Sequence, residues 1–147
     1  MNKIPNNLPQ YIKVFLNKIR DYLDTELYFY GSVNRNDYIH GKSDIDIAIF
    51  TDNEYSTIHK LQHVLHIKRS DIDTVIWRLN NTIIYGFKIK CEKHININCE
   101  IAIYNNKFKH ILLDEYSKTN NVPFLISILL NILKTCYYTF HLLSKQT

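Results

Sequence analysis

The sequence predicts an α/β (α+β) fold: a mixed β-sheet flanked by helices, in a single domain. Three observations carry this. Strictly alternating segments sit between segments of helical periodicity, the order is helix, strands, helix, strands, helices, and the chain has the length of one domain. With 147 residues it can bury roughly 70% of the surface its unfolded form exposes, so one real core is expected.

The elements follow in order. "LPQYIKVFLNKIRDYL" places Leu8, Tyr11, Ile12, Phe15, Ile19 and Leu23 near helical spacing, with Pro9 in the first turn. "ELYFYG" reads as a short strand stopped by Gly31, and "SVNRNDYIHGK" as a loop or short helix. "SDIDIAIF" alternates strictly and reads as a strand. "NEYSTIHKLQHVLH" puts Tyr55, Ile58, Leu61 and Leu65 on one helical stripe. "DTVIWRL" is a further strand, with Asn80-Asn81 as a turn. "TIIYGFKIKCE" and "HININCEIAIY" alternate and form a hairpin around "EKH". From Phe108 on, one or two helices are expected, and the segment 108–145 is assigned as helical. Residues 122–143 should bury Phe124, Ile128, Leu129, Ile132 and Leu133 against the sheet or a second subunit, with Lys134 reaching solvent and no membrane crossing.

Composition narrows the function classes. The net charge is +4, which suits an anionic ligand but is too mild for wrapping a long nucleic acid. "MNKIPNNLPQ" has no apolar stretch of the signal-peptide kind, and Cys91, Cys99 and Cys136 are odd in number with no CxxC. A reducing compartment, the cytoplasm, and no disulfide framework are the expectation.

The chemistry is concentrated in carboxylates. On a strand, Asp44 and Asp46 project to one face with Cα atoms ~7 Å apart, while Ile45, Ile47 and Ile49 enter the core. On the later strand the same alternation turns Glu100 away from the core. Ala48 and Ala102 follow on the acids' faces and leave room. Were the two strands neighbours, three carboxylates would converge, and such a cluster repels itself unless a cation neutralises it. Oxygen ligands suit Mg²⁺ or Mn²⁺, and two such ions ~4 Å apart serve in-line phosphoryl or nucleotidyl transfer. Gly31-Ser32 offers the other half: backbone that a phosphate can approach, plus a hydroxyl, with Arg35 and Lys42 to add charge. Asp71 and Asp73 share the i, i+2 spacing but lack an upstream Gly-Ser, so they read as capping residues. His59, His63 and His66 read as a solvated helix face. Lys88 and Lys90 lie on the polar face of the hairpin, where they are either solvated or near a triphosphate.

"YGSVNRNDYIHGKSDIDIAIF" resembles the signature of the DNA polymerase beta-like nucleotidyltransferase superfamily: Gly-Ser, a short helix, then an apolar-flanked Asp-x-Asp. "TIIYGFKIKCEKHININCEIAIYNN" resembles the hairpin whose second strand carries the third carboxylate. The resemblance covers about residues 26–106 and departs from the family pattern at Asn36 and at Glu100, where relatives carry Gly and Asp. It implies a minimal nucleotidyltransferase fold over 1–147. It also implies that Asp44, Asp46 and Glu100 are catalytic and bind two Mg²⁺ (or Mn²⁺) ions, and that Ser32 touches nucleotide phosphates. The expected reaction moves a nucleoside monophosphate from an NTP, ATP being the first choice, to an acceptor hydroxyl with release of pyrophosphate. The acceptor is open between a small molecule, a protein and an RNA end, and a homo- or hetero-oligomer could form through the C-terminal helix. The alternative is a catalytically silent nucleotide-binding module or an antitoxin-like interaction module.

Overall fold

The structure is a computed structural model that describes residues 2–91, 97–120 and 124–146. Among the described residues, five strands make one mixed sheet and four α-helices accompany it. The elements are α1 (Gln10–Leu23), β1 (Tyr28–Tyr30), β2 (Ile45–Thr51), α2 (Glu54–Leu65), β3 (Ile72–Leu79), β4 (Thr82–Lys90), β5 (Cys99–Asn105), α3 (Lys109–Asn120) and α4 (Phe124–Gln146). The strand order is β1-β2-β5-β4-β3, parallel at β2–β5 and antiparallel at the other three pairings.

On one face α1 and α2 cover the alternating isoleucines. Ile12, Leu16, Ile19 and Leu23 recur every three or four residues and form the buried stripe of α1. Tyr11, expected on that stripe, is exposed, and Leu16 takes the central place. Asp24 ends α1 in the left-handed region, its N–H donating to the carbonyls of Arg20 and Asp21. In α2, Ile58, Leu61 and Leu65 are buried, and the Asn53 side chain caps the first turn by accepting from the Ser56 N–H at 3.0 Å. These helices pack on Ile45, Ile47, Ile49, Ile89, Ile101 and Ile103.

The other face carries the acids at one end and aromatic side chains at the other. Tyr28, Phe50 and Tyr104 are buried there under Phe108, Leu112 and Tyr116. Ala48 and Ala102 are fully buried in the same cluster, so the space directly over the two alanines is filled by aromatic packing and is not open. The reason is parity: Phe50 and Tyr104 stand on the same pleat face as the alanines and extend the apolar surface over them.

Asn80 and Asn81 both adopt positive φ, 47° and 65°, and join β3 to β4 as a two-residue hairpin turn with Leu79 opposite Thr82. β4 and β5 pair antiparallel as expected, and the turn between them, "EKH", lies outside the described residues. Cys91, Cys99 and Cys136 are free thiols.

The C-terminal expectation needs correction. Ile128, Leu129, Ile132 and Leu133 are 42–56% exposed, so α4 does not bury these four against the sheet, and the burial of Phe124 lies outside what is described. Both sheet faces already have covers, α1 with α2 on one and α3 on the other. α4 is tied down instead by polar contacts: Lys134 Nζ donates to Asp37 Oδ2 at 2.9 Å, and the Tyr138 hydroxyl to the Lys42 carbonyl at 2.9 Å. Lys134 therefore points into the protein and not to solvent. No helix among the described residues is long and apolar enough to cross a membrane.

Gly86 lies opposite Tyr104, and a Cβ there would stand 2.4 Å from the Ile103 carbonyl oxygen and 2.6 Å from the Tyr104 ring. Gly86→Ala should therefore cost about 1–3 kcal/mol, the usual penalty of overpacking, read as a lower urea midpoint. An unchanged midpoint would show that the Ile103 backbone and the Tyr104 ring both give way at no cost.

Candidate active site

The pairing of β2 with β5 builds the site. Their register places Asp46 directly opposite Glu100, and β1 places Tyr30 opposite Asp46 on the other side. Asp44 lies one residue before β2, exposed, while Asp46 and Glu100 are half-buried. The structure thus brings Asp46 and Glu100 together on neighbouring strands, with Asp44 two residues before Asp46.

Electrostatics record the convergence. The Asp46 carboxyl is pushed up to about 6, first by burial and then by the charges of Glu100 and Asp44, with Lys88 and Lys134 pulling the other way. Lys88 Nζ lies 2.6 Å from Glu100 Oε1. Its own pKa is affected most by burial, which lowers it, but the bond to Glu100 outweighs that and leaves the net shift upward. Among the described residues, no three His, Cys, Asp or Glu side chains stand close enough together to hold a metal ion.

Gly31 has a specific reason to be glycine. Its φ is +70°, and a Cβ would meet Asp46 Oδ2 at 2.5 Å. The strand end and the carboxylate share one space. Gly31–Asn34 is a single 3₁₀ turn, and Ser32 is buried within it.

The two basic candidates occupy defined positions. Arg35 Nε and Nη2 donate to the two carboxylate oxygens of Asp37 at 2.7 and 2.9 Å. Asp37 is fully buried and also receives Lys134, so Arg35, Asp37 and Lys134 form a charged triad next to the site. Lys42 is exposed, its ammonium 5.8 Å from the centre of the Tyr138 ring. Asp37 and Lys134 were invisible to sequence reasoning: a loop has no periodicity, and their partnership spans 97 positions. Asp71 behaves as the capping residue expected, its carboxylate accepting from the Lys68 N–H at 2.9 Å. Asp73 is exposed and lies opposite Lys88 in the ladder.

The chain matches the family model of the nucleotidyltransferase domain over residues 12–119, and it belongs to that family. Similar solved structures include the RNA terminal uridylyl transferase Cid1, at 19% identity and TM-score 0.42, with 74% of this chain and 36% of that one covered. Terminal uridylyl transferase 4 from Trypanosoma brucei with bound dUTP matches at 14% identity and TM-score 0.38, with 84% of this chain and 39% of that one covered. The chain thus spans less than half the length of the structures it matches. No curated protein matches.

Two outcomes test this geometry. The Asp37 carboxyl is held down to about 2, first by the Arg35 hydrogen bond and then, against burial, by Lys134. An acid whose folded pKa is depressed contributes stability above its unfolded value near 4, and loses it as pH falls through about 2. Asp37→Asn should therefore be less stable than wild type at pH 7, with the gap closing as pH falls from about 4 towards 2 in urea melts. A gap constant over that range would refute the triad. Gly31→Ala should lower folding stability by roughly 1–2 kcal/mol from the left-handed backbone alone, and by more if the Asp46 carboxylate cannot move off the new Cβ, read as the urea midpoint. An unchanged midpoint would mean that neither the backbone nor Asp46 depends on the glycine.

Proposed function

We propose that this chain is a metal-dependent nucleotidyltransferase that moves a nucleoside monophosphate from an NTP to an acceptor hydroxyl and releases pyrophosphate. The observation that carries the reading is the register of Asp46 against Glu100, in a chain of the nucleotidyltransferase domain family. The residues suit a divalent cation. Asp44, Asp46 and Glu100 supply only oxygen donors, which fit Mg²⁺ or Mn²⁺. Lys88 Nζ, 2.6 Å from Glu100 Oε1, already sets a positive charge against that carboxylate, and after burial it is the charges of Glu100 and Asp44 that raise the Asp46 pKa.

Asp46 and Glu100, side by side in the ladder, would hold two such ions together with Asp44, which must draw in to reach them, and the bound ions would supply Lewis-acid stabilisation of the transferring phosphoryl group. The protein's own contribution is placement. Gly31 leaves the backbone approachable beside Asp46, and the Ser32 turn offers its N–H groups and hydroxyl to phosphate oxygens. Arg35 and Lys42 add positive potential from the loop between β1 and β2. Glu100 faces the acceptor side. An acceptor oxygen forms the new bond to the α-phosphorus as the α–β bridge breaks. ATP is the first donor to test, within a screen of all four nucleotides.

One observation favours a second reading. Lys88 engages Glu100 directly, and a permanent bond would leave the third carboxylate blocked and the protein a silent nucleotide-binding or antitoxin-like module. The C-terminal helix, with its exposed apolar stripe, would be the docking element of either form.

Alanine or asparagine at Asp44 or Asp46, and Glu100→Gln, should each lower metal-dependent transfer by at least about a hundredfold while the fold persists, whereas Asp73→Asn should be near neutral. Labelled NTPs with mass spectrometry of the products provide the measurement. The reverse pattern would overturn the assignment. Lys88→Met distinguishes the two readings, because it should tighten Mn²⁺ binding if the lysine only lends its charge until a cation arrives. Wild type and Lys88→Met that both fail to bind Mn²⁺ would favour the silent module.

Stability has its own signature. An acid whose folded pKa is raised destabilises the fold as it ionises, so stability falls as pH rises from about 4 through about 6. Asp46→Asn should remove that fall and leave the variant up to about 3 kcal/mol more stable than wild type at pH 7, as measured by urea unfolding. A variant less stable than wild type would show that the carboxylate is held by favourable contacts.

A further inference from the structure

Beside the carboxylates lies a groove of about 580 Å³, within the range of small-ligand sites. Its lining includes Tyr30, Trp77, Tyr104, Tyr116 and Lys88. Two of these lead straight to the acids: Tyr30 is the ladder partner of Asp46, and the Lys88 ammonium touches Glu100.

The rings are held in place. Tyr30 and Tyr116 stack with centroids 4.1 Å apart and planes 5° from parallel. The Tyr116 hydroxyl is hydrogen-bonded with those of Tyr30 and Tyr104, and the Trp77 indole N–H donates to Tyr104. Gly86 leaves the space in which the Tyr104 ring lies. Tyr104 and Tyr116 are buried and form the back of the groove, while Trp77 on the edge strand β3 stays half-exposed at its mouth. A fixed aromatic wall costs a ligand little ordering, and a planar base gains from stacking whatever its identity.

Resting on the transferase reading above, we propose that this groove receives the terminal base of a single-stranded nucleic acid, stacked at Trp77, so that the end hydroxyl of the same nucleotide falls at Glu100. A nucleobase fits better than a protein tyrosine on two counts. The space exceeds one phenol ring, and Lys88 and Lys90 project from the same face of β4 beside Glu100, where a strand's phosphates would run. The net charge of +4 agrees with a short anionic end.

Trp77 is the single tryptophan of the chain, so its fluorescence reports on the groove directly. The full chain, in EDTA and without NTP, is titrated with hexauridylate and hexaadenylate RNA and, separately, with a tyrosine-containing hexapeptide. RNA should quench Trp77 saturably, and the peptide should not. Anisotropy of end-labelled RNA then compares variants. Trp77→Leu should weaken binding about tenfold or more, and Trp77→Phe, which keeps a ring, should stay within about threefold of wild type, with both variants shown folded by circular dichroism. No quenching by RNA, tighter quenching by the peptide, or equal binding by Trp77→Leu would each overturn the proposal. Pyrophosphate release with Mn²⁺ and NTPs is scored in parallel. Release without RNA quenching sinks the groove and spares the reaction, whereas RNA quenching with no release from any NTP spares the groove and sinks the reaction.

Discussion

The structure depends on one pairing, the parallel ladder between β2 and β5. It sets Ile45, Ile47 and Ile49 beside Cys99, Ile101 and Ile103 on the core face, and the same register sets Asp46 beside Glu100 on the other. A slip by one residue would drive the carboxylates into the isoleucine core and turn the isoleucines out. Repulsion between the acids is therefore tolerated because the register that creates it is the one that buries the apolar side chains. β2 and β5 are joined through α2, β3 and β4, so a large part of the chain must be in place before the acids meet.

Charge balance organises what surrounds that pair. Lys88 meets Glu100 from β4, and Arg35 and Lys134 meet the buried Asp37 from the loop and from α4. The loop carrying Arg35, Lys42 and Asp44 is thus anchored at one end by Asp37. At the other, the Tyr138 hydroxyl reaches the Lys42 carbonyl. α4 contributes to the site's surroundings by these polar ties and leaves much of its apolar surface exposed. This arrangement explains how a helix expected to pack as a hydrophobic cover can lie beside the acids without covering the sheet.

The acid-bearing face is divided along its strands. Towards the start of β2 and β5 it is carboxylate and lysine; further on it is Phe50, Tyr104, Ile84 and Trp77 beneath α3. The boundary runs through Ala48 and Ala102, whose small side chains let aromatic neighbours close over them. Asp46 lies next to this boundary, between Tyr30 and Glu100, and its burial is the largest cause of its raised pKa.

The strands, helices α1 and α2, and the outward direction of Asp44, Asp46 and Glu100 follow from the sequence by itself. Period-two alternation settles which face a side chain takes, and helical spacing settles a buried stripe, because both are local properties of the backbone. The Asn80-Asn81 turn was legible for the same reason. The adjacency of β2 and β5, the bond between Lys88 and Glu100, the Asp37 triad, the aromatic groove and the exposure of α4 were decided by tertiary structure. Each joins residues far apart in the chain, through strand order or through a loop with no period. No local pattern encodes such a meeting, because its energy exists only once both partners have been brought together.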